Sequence, residues 1–191
     1  MSKEEDFVLI KDFISGNKKA FDALVLKHKN LVFTLCFRLL GNYEEAEDIS
    51  QDVFIKTYKA LNGFKFRSAF TTWLYTVAVN TCKNRLSSTK YKVDKKSKSL
   101  ENNDCNENTY KLPSSDNNNP YNLLDAGERE RQIMNAINTL PDIQKILVVL
   151  RDIEGRSYDE IRRITGMKLG TVKSKLCRAR EVLKDKLRGV I

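Results

Sequence analysis

The chain has few of the residues from which catalytic and metal sites are usually built. It contains one histidine, His28, and only eight glycines among 191 residues. Its four cysteines, Cys36, Cys82, Cys105 and Cys177, are far apart and form no CxxC pair, so neither structural disulfides nor a zinc site is expected. The sequence has no phosphate-binding glycine loop, no carboxylate cluster with metal spacing and no nucleophile–histidine pair. We therefore predict that the protein is not an enzyme and needs no cofactor.

Long apolar runs are also missing. The N-terminal segment MSKEEDF is charged and lacks the apolar centre of a signal peptide, and no run approaches the length of a membrane span. Hydrophobic residues still make up 41% of the chain, which is enough for one or two small cores, and Cys36 is expected to pack in one of them. We predict a cytoplasmic protein with no membrane span.

No segment alternates apolar and polar residues as a strand does, so the predicted fold is all-α. Apolar residues recur at helical spacing in two regions, 1–86 and 126–191, and each is predicted to be a small helical domain. The segment between them, 87–125, is rich in Lys, Ser, Asn and Asp and is predicted to be a flexible linker, because this composition cannot bury enough apolar surface to fold. As a free coil, a linker of this length would average roughly 35 Å from end to end.

Four helices are predicted in the first domain. The signals for their ends are Gly41 at the end of the second helix, Asn42 as the cap of the third, and Thr71 or Thr72 as the cap of the fourth. The predicted helices cover residues 3–15, 18–40, 43–62 and about 71–86.

Basic charge is concentrated toward the C-terminal end. The whole chain has a net charge of +9, and residues 126–191 hold 15 basic and 9 acidic side chains. This excess favours a polyanionic partner.

The segment 157–181 has the pattern of a helix-turn-helix. Ser157 and Glu160 have the spacing of a capping box, and Gly166 lies where the chain must turn sharply. A second helix then has one apolar face, formed by Val172, Leu176 and Ala179. In this motif the second helix enters a DNA major groove. The alternative is an ordinary helical hairpin with a solvated basic face.

The loop 63–70 has more aromatic and cationic residues than a connection needs. Aromatic rings beside cations offer stacking faces and phosphate partners to single-stranded nucleic acid. The alternative is that the rings close the end of the helical bundle. This alternative is favoured for Phe70 and Trp73, and it is weaker for Phe64, Lys65 and Arg67.

Three segments resemble one family. The first two, AEDISQDVFIKTYKAL (46–61) and TTWLYTVAVNTCKNRL (71–86), are similar to region 2 of the extracytoplasmic-function (ECF) class of bacterial sigma-70 factors. The second of them is especially similar to the envelope-stress members from enteric bacteria. The third segment, 157–181, resembles region 4 of the same class. The resemblance implies a stress-response transcription initiation factor that binds core RNA polymerase, reads the −10 element with region 2 (1–86), and reads the −35 element with region 4 (126–191). It also implies an anti-sigma factor as a partner.

The resemblance further implies which residues make each contact. Polymerase docking falls on one face of the third helix, at Asp48, Gln51, Asp52, Phe54 and Ile55. The residues implied to bind the −10 element are Lys56, Ala60, Phe64, Lys65, Arg67, Asn80, Lys83 and Arg85. Among these, Asn80 would bond a base edge, Phe64 would form a wall or stack on a flipped base, and Lys83 and Arg85 would meet phosphates. The residues implied to contact the −35 bases are Lys173, Ser174, Cys177 and Arg178. Those implied to contact phosphates are Thr171, Lys175 and Arg180.

The chain departs from the family pattern at four positions. Phe66 and Arg67 stand where a small and an acidic residue are usual, which affects the −10 preference. Arg162 replaces the usual alanine of the helix-turn-helix, and Lys175 replaces an arginine, losing a bidentate fork.

The main alternative function is a stand-alone helix-turn-helix regulator that binds double-stranded promoter DNA without polymerase. It would leave the acidic helix and the aromatic loop without a role. It would also usually need a dimer interface, and the sequence has no heptad seam.

Overall fold

The computed structural model describes residues 3–88 and 120–188, and all regular structure in these two stretches is helical, as predicted. The N-terminal stretch has four helices: α1 (Lys3–Ile14), α2 (Lys19–Leu40), α3 (Tyr43–Ala60), which continues as a 3-10 turn (Leu61–Gly63), and α4 (Phe70–Ser87). The C-terminal stretch has another four: α5 (Pro120–Asn138), α6 (Asp142–Val148), which continues as a π-helical turn (Val149–Ile153), α7 (Tyr158–Thr165) and α8 (Leu169–Lys186). Most of the predicted linker, including Cys105, lies outside the described residues.

Local signals set most helix ends in the N-terminal domain. Gly41 adopts a left-handed conformation with φ of 76° and ends α2, and the side chain of Asn42 accepts a hydrogen bond from the Glu45 amide at 2.9 Å, which starts α3. Both predictions are confirmed. The predicted cap of α4 is wrong, because α4 begins at Phe70 and both Thr71 and Thr72 already lie within its first turn.

The N-terminal core lies between α1, α2, α3 and α4. Cys36 and Cys82 are fully buried there, with their sulfur atoms 3.7 Å apart. The hydrogen bond from Cys82, together with burial, raises the pKa of the Cys36 thiol. Since the thiolate is the reactive form, Cys36 is a poor nucleophile, and it packs in the core as predicted. The apolar residues at the centre of this core are Leu24, Leu35, Leu39, Val53 and Leu74.

The C-terminal core is organised around α6. Its apolar run continues without interruption into the π-helical turn. Helices α7 and α8 pack on this continuous segment through buried aliphatic side chains. Buried residues from the three elements are Ile146, Leu147, Val149, Leu150, Ile161, Ile164, Val172, Leu176 and Ala179. The two domains contact each other where α4 packs against α7.

Within residues 3–88 and 120–188, no helix is both long and apolar enough to cross a membrane.

Candidate nucleic-acid interface

A complete capping box starts α7. The Ser157 hydroxyl accepts a hydrogen bond from the Glu160 amide at 3.2 Å, and the Glu160 carboxylate accepts one from the Ser157 amide at 2.9 Å. The hydrogen bond from the Ser157 amide is the main reason that the pKa of Glu160 lies below its ordinary value. Gly166, with φ of 70°, then ends α7 in a left-handed conformation, so the chain turns sharply into α8. The predicted helix-turn-helix geometry is therefore present.

The second helix of this motif, α8, separates its residues by face. Val172, Leu176 and Ala179 are buried against α6 and α7, as the apolar spacing predicted. The four residues predicted to face bases are all exposed, as is Thr171, whereas Lys175 is half-buried. The exposed base-facing set is Lys173, Ser174, Cys177 and Arg178.

Behind this surface, Tyr158 is surrounded by cations that the sequence pattern did not connect with it. The Arg151 guanidinium lies 4.7 Å from the centre of its ring, and the Lys173 ammonium lies 5.8 Å from it. Arg180, predicted to contact phosphate, is paired with Asp152 of the π-helical turn and so ties α8 to α6. These partners are distant from α8 in sequence, so only the folded chain shows them.

On the −10 side, the structure brings α3 and α4 together at their predicted binding positions. The Lys56 ammonium donates a hydrogen bond to the Thr81 hydroxyl at 3.2 Å, so it lies beside the residue that follows Asn80. Ala60, Asn80 and Lys83 are exposed, and so is Lys56. Arg85 is different, because it is half-buried and pairs with Glu45 at 2.9 Å, within the domain.

Phe64 is buried in an aromatic cluster. Only 6% of it is exposed, and its ring centre lies 5.0 Å from that of Phe66, 5.5 Å from that of Trp73 and 6.3 Å from that of Phe7. A base cannot stack on its face in this arrangement. This packing argues against the stacking role predicted for Phe64, and its role as a wall stays a prediction.

The three residues that follow Phe64 in the loop 63–70 differ in exposure. Phe66 is a non-glycine residue with a positive φ of 54°, held by edge-to-face packing on Phe7 at 5.3 Å. Lys65 and Arg67, on either side of it, are exposed. Packing of Phe66 therefore turns the two cations toward solvent.

One face of α3 carries the predicted polymerase-binding residues. Asp48, Gln51, Asp52 and Ile55 follow helical spacing and are exposed, with Ile55 at 51%. Phe54 departs from this set, because it is half-buried and packs against the core. One turn after Phe54 and Ile55, Tyr58 is 40% exposed and extends the apolar part of the face. The sequence pattern did not indicate this role for Tyr58. Its ring is held edge-on by Phe13 and Phe21, at 5.2 and 5.1 Å.

Family models and known proteins match most of the chain. The family model Sigma-70 region 2 matches residues 24–91, and Sigma-70, region 4 matches residues 130–183. The RNA polymerase sigma-H factor of Pseudomonas aeruginosa is 34% identical over 191 residues, which are 100% of this chain and 98% of that one. The ECF RNA polymerase sigma-E factor of Haemophilus influenzae is 35% identical over 189 residues, covering 97% of both. The chain therefore belongs to the sigma-70 family of RNA polymerase sigma factors, in its ECF class.

A solved structure has the same fold. The sigma factor RpoE of Bartonella quintana, in complex with the anti-sigma factor NepR, superposes with a TM-score of 0.61 at 23% identity, covering 89% of this chain and 98% of that one.

Proposed function

We propose that this chain docks on core RNA polymerase through the face of α3, reads the −35 element with α8, and opens the −10 element with the loop 63–70 and α4. The observation that carries the proposal is the presence, on one chain of this family, of two separate exposed sets of DNA-binding residue types. A single helix-turn-helix reads few base pairs, and a second linked site raises the effective affinity and specificity.

The α3 face is suited to a basic partner with an apolar groove. Asp48 and Asp52 are exposed on the turns of α3 that precede an exposed apolar pair, Ile55 and Tyr58. Aromatic anchors beside charged residues are a frequent composition of binding hot spots. Tyr58 joins the predicted set because Phe13 and Phe21 already fix its ring, so little side-chain entropy is lost on docking.

The −10 surface supplies the groups that an unstacked base requires. Extruding a base costs a few kcal/mol, so the contacts that receive it must offset that cost. Asn80 offers donors and an acceptor to a base edge. Lys56, which is hydrogen-bonded to Thr81 of the same helix as Asn80, adds positive charge to the surface. Phe64 forms one wall of the site, and Lys65 and Lys83 attract the backbone of the separated strand.

The −35 surface uses both kinds of DNA contact. Arg178 can bind a guanine through two hydrogen bonds, which discriminates by about 1–3 kcal/mol. Thr171 and Lys175 suit phosphates near the start of α8, where the helix dipole favours an anion. Arg180 and Arg85 are paired with Asp152 and Glu45 within the chain, so they are weaker candidates for phosphate binding than Thr171 and Lys175.

Three further parts of the proposal follow from the family. The proposed domain limits are 1–86, 87–125 and 126–191, but α5 begins at Pro120, so the last six residues of the proposed linker are helical. The chain acts in the cytoplasm as a non-enzymatic initiation factor. An anti-sigma factor is proposed as a second partner, since the solved relative is bound to one.

Charge reversal on α3 tests the proposed docking face. Asp52→Lys should lower the affinity for core polymerase by about tenfold or more, because like charges would then meet a basic partner. The matched control is Asp142→Lys, which reverses an exposed charge at the start of α6, in the other domain. Affinity is measured by fluorescence anisotropy and by co-elution in size-exclusion chromatography. Equal losses in the two variants, or none in either, would remove α3 from the interface.

A further inference from the structure

Phe66 has a backbone conformation that its own side chain disfavours. Its φ of 54° is in the left-handed region, and the other residues with a positive φ in the described stretches are all glycines. A Cβ in this region lies too close to the following carbonyl oxygen, and a bulky residue there is an outlier. Such a conformation persists only where surrounding contacts impose it, and it is found often at binding sites. The contacts around Phe66, rather than its own preference, therefore fix the loop 63–70.

Two aromatic rings make those contacts. The Phe66 ring meets Phe7 of α1 edge to face, with the ring centres 5.3 Å apart and the planes at 81°. It also lies 5.0 Å from the ring of Phe64, which is buried and packs on Trp73 of α4 at 5.5 Å. These separations are those of favourable aromatic pairs. Phe64 belongs to the loop itself, so Phe7 is the ring that holds Phe66 from a separate helix.

A buried polar contact beside Phe7 fixes α1 at this point. Asp6 is buried, and one of its carboxylate oxygens lies 3.1 Å from Nε2 of His28 and 2.8 Å from the ammonium of Lys27, both on α2. His28 is fully buried, and its ring lies 5.3 Å from that of Phe70, where the loop ends and α4 begins. Breaking a buried pair leaves an uncompensated charge, so α1 cannot readily shift on α2. Phe7 is therefore a rigid support for the loop.

The conformation of Phe66 sets the positions of the two cations beside it. Lys65 and Arg67 are exposed, whereas Phe66 between them is half-buried. A change of φ from the left-handed to the ordinary region would rotate the chain about Phe66 and move Arg67 relative to Lys65. Cations held in place lose little conformational entropy when they meet the phosphates of a single strand. The supported loop is therefore prepared to bind a separated strand.

We propose that Phe7 is a positioning residue for opening of the −10 element. It holds Phe66 in the left-handed conformation and so presents Lys65 and Arg67 to the separated strand. The inference rests on the proposed function and deepens it, since Phe7 acts through Phe66 and needs no DNA contact of its own. Without this support the left-handed conformation would be disfavoured by about five- to thirtyfold. The rate of opening would fall in proportion to the fraction of competent molecules.

Two substitutions of Phe66 separate backbone conformation from ring packing. Phe66→Asn and Phe66→Val both remove the ring, but asparagine tolerates a positive φ and β-branched valine does not. Opening is followed by permanganate reactivity of −10 thymines with core polymerase. Phe66→Asn should open at close to the wild-type rate, and Phe66→Val should open about five- to thirtyfold more slowly. Equal rates in the two variants would overturn the proposal.

Phe7 is tested by loss and by rescue. Phe7→Ala should slow opening by about five- to thirtyfold while the affinities for core polymerase and for −35 duplex stay unchanged. Adding Phe66→Asn to Phe7→Ala should restore most of the rate, although it restores no packing. Phe33→Ala is the matched control, because it removes another half-buried ring, which packs on Phe37 and Tyr43, and it should leave opening unchanged. An unchanged rate in Phe7→Ala, or no rescue, would assign Phe7 to the core alone.

Nuclear magnetic resonance on the free, full-length chain tests the conformation without transcription. A positive φ brings the amide proton of a residue close to its own Hα, which gives a strong cross-peak between them. Residue 66 should show this cross-peak in the wild type, lose it in Phe7→Ala and regain it in Phe7→Ala with Phe66→Asn. Its persistence in Phe7→Ala would overturn this inference and leave the proposed function intact. If the wild type shows the cross-peak but opens no promoter, the proposed function fails, and the positioning role fails with it.

Discussion

Ser157 and Glu160 illustrate how far a pair of residues can determine local structure. The spacing alone predicted the capping box, because both hydrogen bonds depend only on residues three apart. The same reasoning succeeded at Asn42, Gly41 and Gly166, where the chain's own backbone supplies the partner. Local chemistry located these helix ends, but it failed at the start of α4, where neither Thr71 nor Thr72 is the cap.

The capping box has a consequence for stability that depends on pH. Glu160→Ala should lower the free energy of unfolding at pH 7 by about 1 kcal/mol. The folded state depresses the pKa of Glu160, so its contribution is present above the ordinary value of 4.5 and is lost as pH falls below it. Urea unfolding at several pH values measures the difference between variant and wild type, which should shrink below pH 4.5. Arg163→Ala, exposed on the same helix, is the control, and a matching pH trend there would contradict the assignment.

Two cations of α8 should differ in what they contribute to DNA binding. Arg178→Ala should weaken binding to the −35 sequence selectively, by about 1–3 kcal/mol, because arginine reads a guanine through two hydrogen bonds. Lys175→Ala should weaken binding to all sequences alike and reduce the salt slope by about one, because it removes a phosphate contact. Both are measured by titrating the polymerase-bound factor with specific and scrambled duplexes at several salt concentrations. Indistinguishable effects would count against the division into base and phosphate contacts.

At the scale of elements, the loop 63–70 shows where sequence reasoning stops. Its aromatic and cationic composition was evident, but the burial of Phe64 depends on Phe7 of α1, which comes from a distant part of the chain. Likewise, the sequence indicated a phosphate contact for Arg180, but it did not show that the π-helical turn brings Asp152 beside this residue. An extra residue in a helical turn leaves the apolar run intact, so periodicity does not reveal it.

The structural and DNA-binding roles in this loop can be separated. Phe64→Ala should lower the free energy of unfolding by about 3–4 kcal/mol, because it empties the centre of the aromatic cluster. Lys65→Ala should leave stability within about 0.5 kcal/mol, because Lys65 is exposed, and should reduce promoter opening. Stability is measured by urea unfolding and opening by permanganate reactivity of −10 thymines. A large loss of stability in Lys65→Ala would contradict this separation of a structural role for Phe64 from a DNA-binding role for Lys65.

At the scale of the whole molecule, the sequence predicted two helical domains and a soft linker but not their contact. Arg38 of one domain pairs with Glu154 of the other across 116 positions, and no local pattern links those two residues. Family membership was predictable because the motifs that indicate it are carried by contiguous segments, 46–61, 71–86 and 157–181. The docking of α4 on α7 was not, because complementarity between folded surfaces appears only once both have formed.

Run-off transcription with purified core polymerase and genomic DNA fragments tests the central claim most directly. The account predicts that adding this factor yields discrete promoter-specific transcripts, and that the factor co-elutes with core enzyme. Arg178→Ala and Asp52→Lys should each reduce those transcripts, the first through promoter recognition and the second through loss of the holoenzyme. Tight binding to duplex DNA without core polymerase, together with no transcript and no co-elution, would contradict the account and favour a stand-alone regulator.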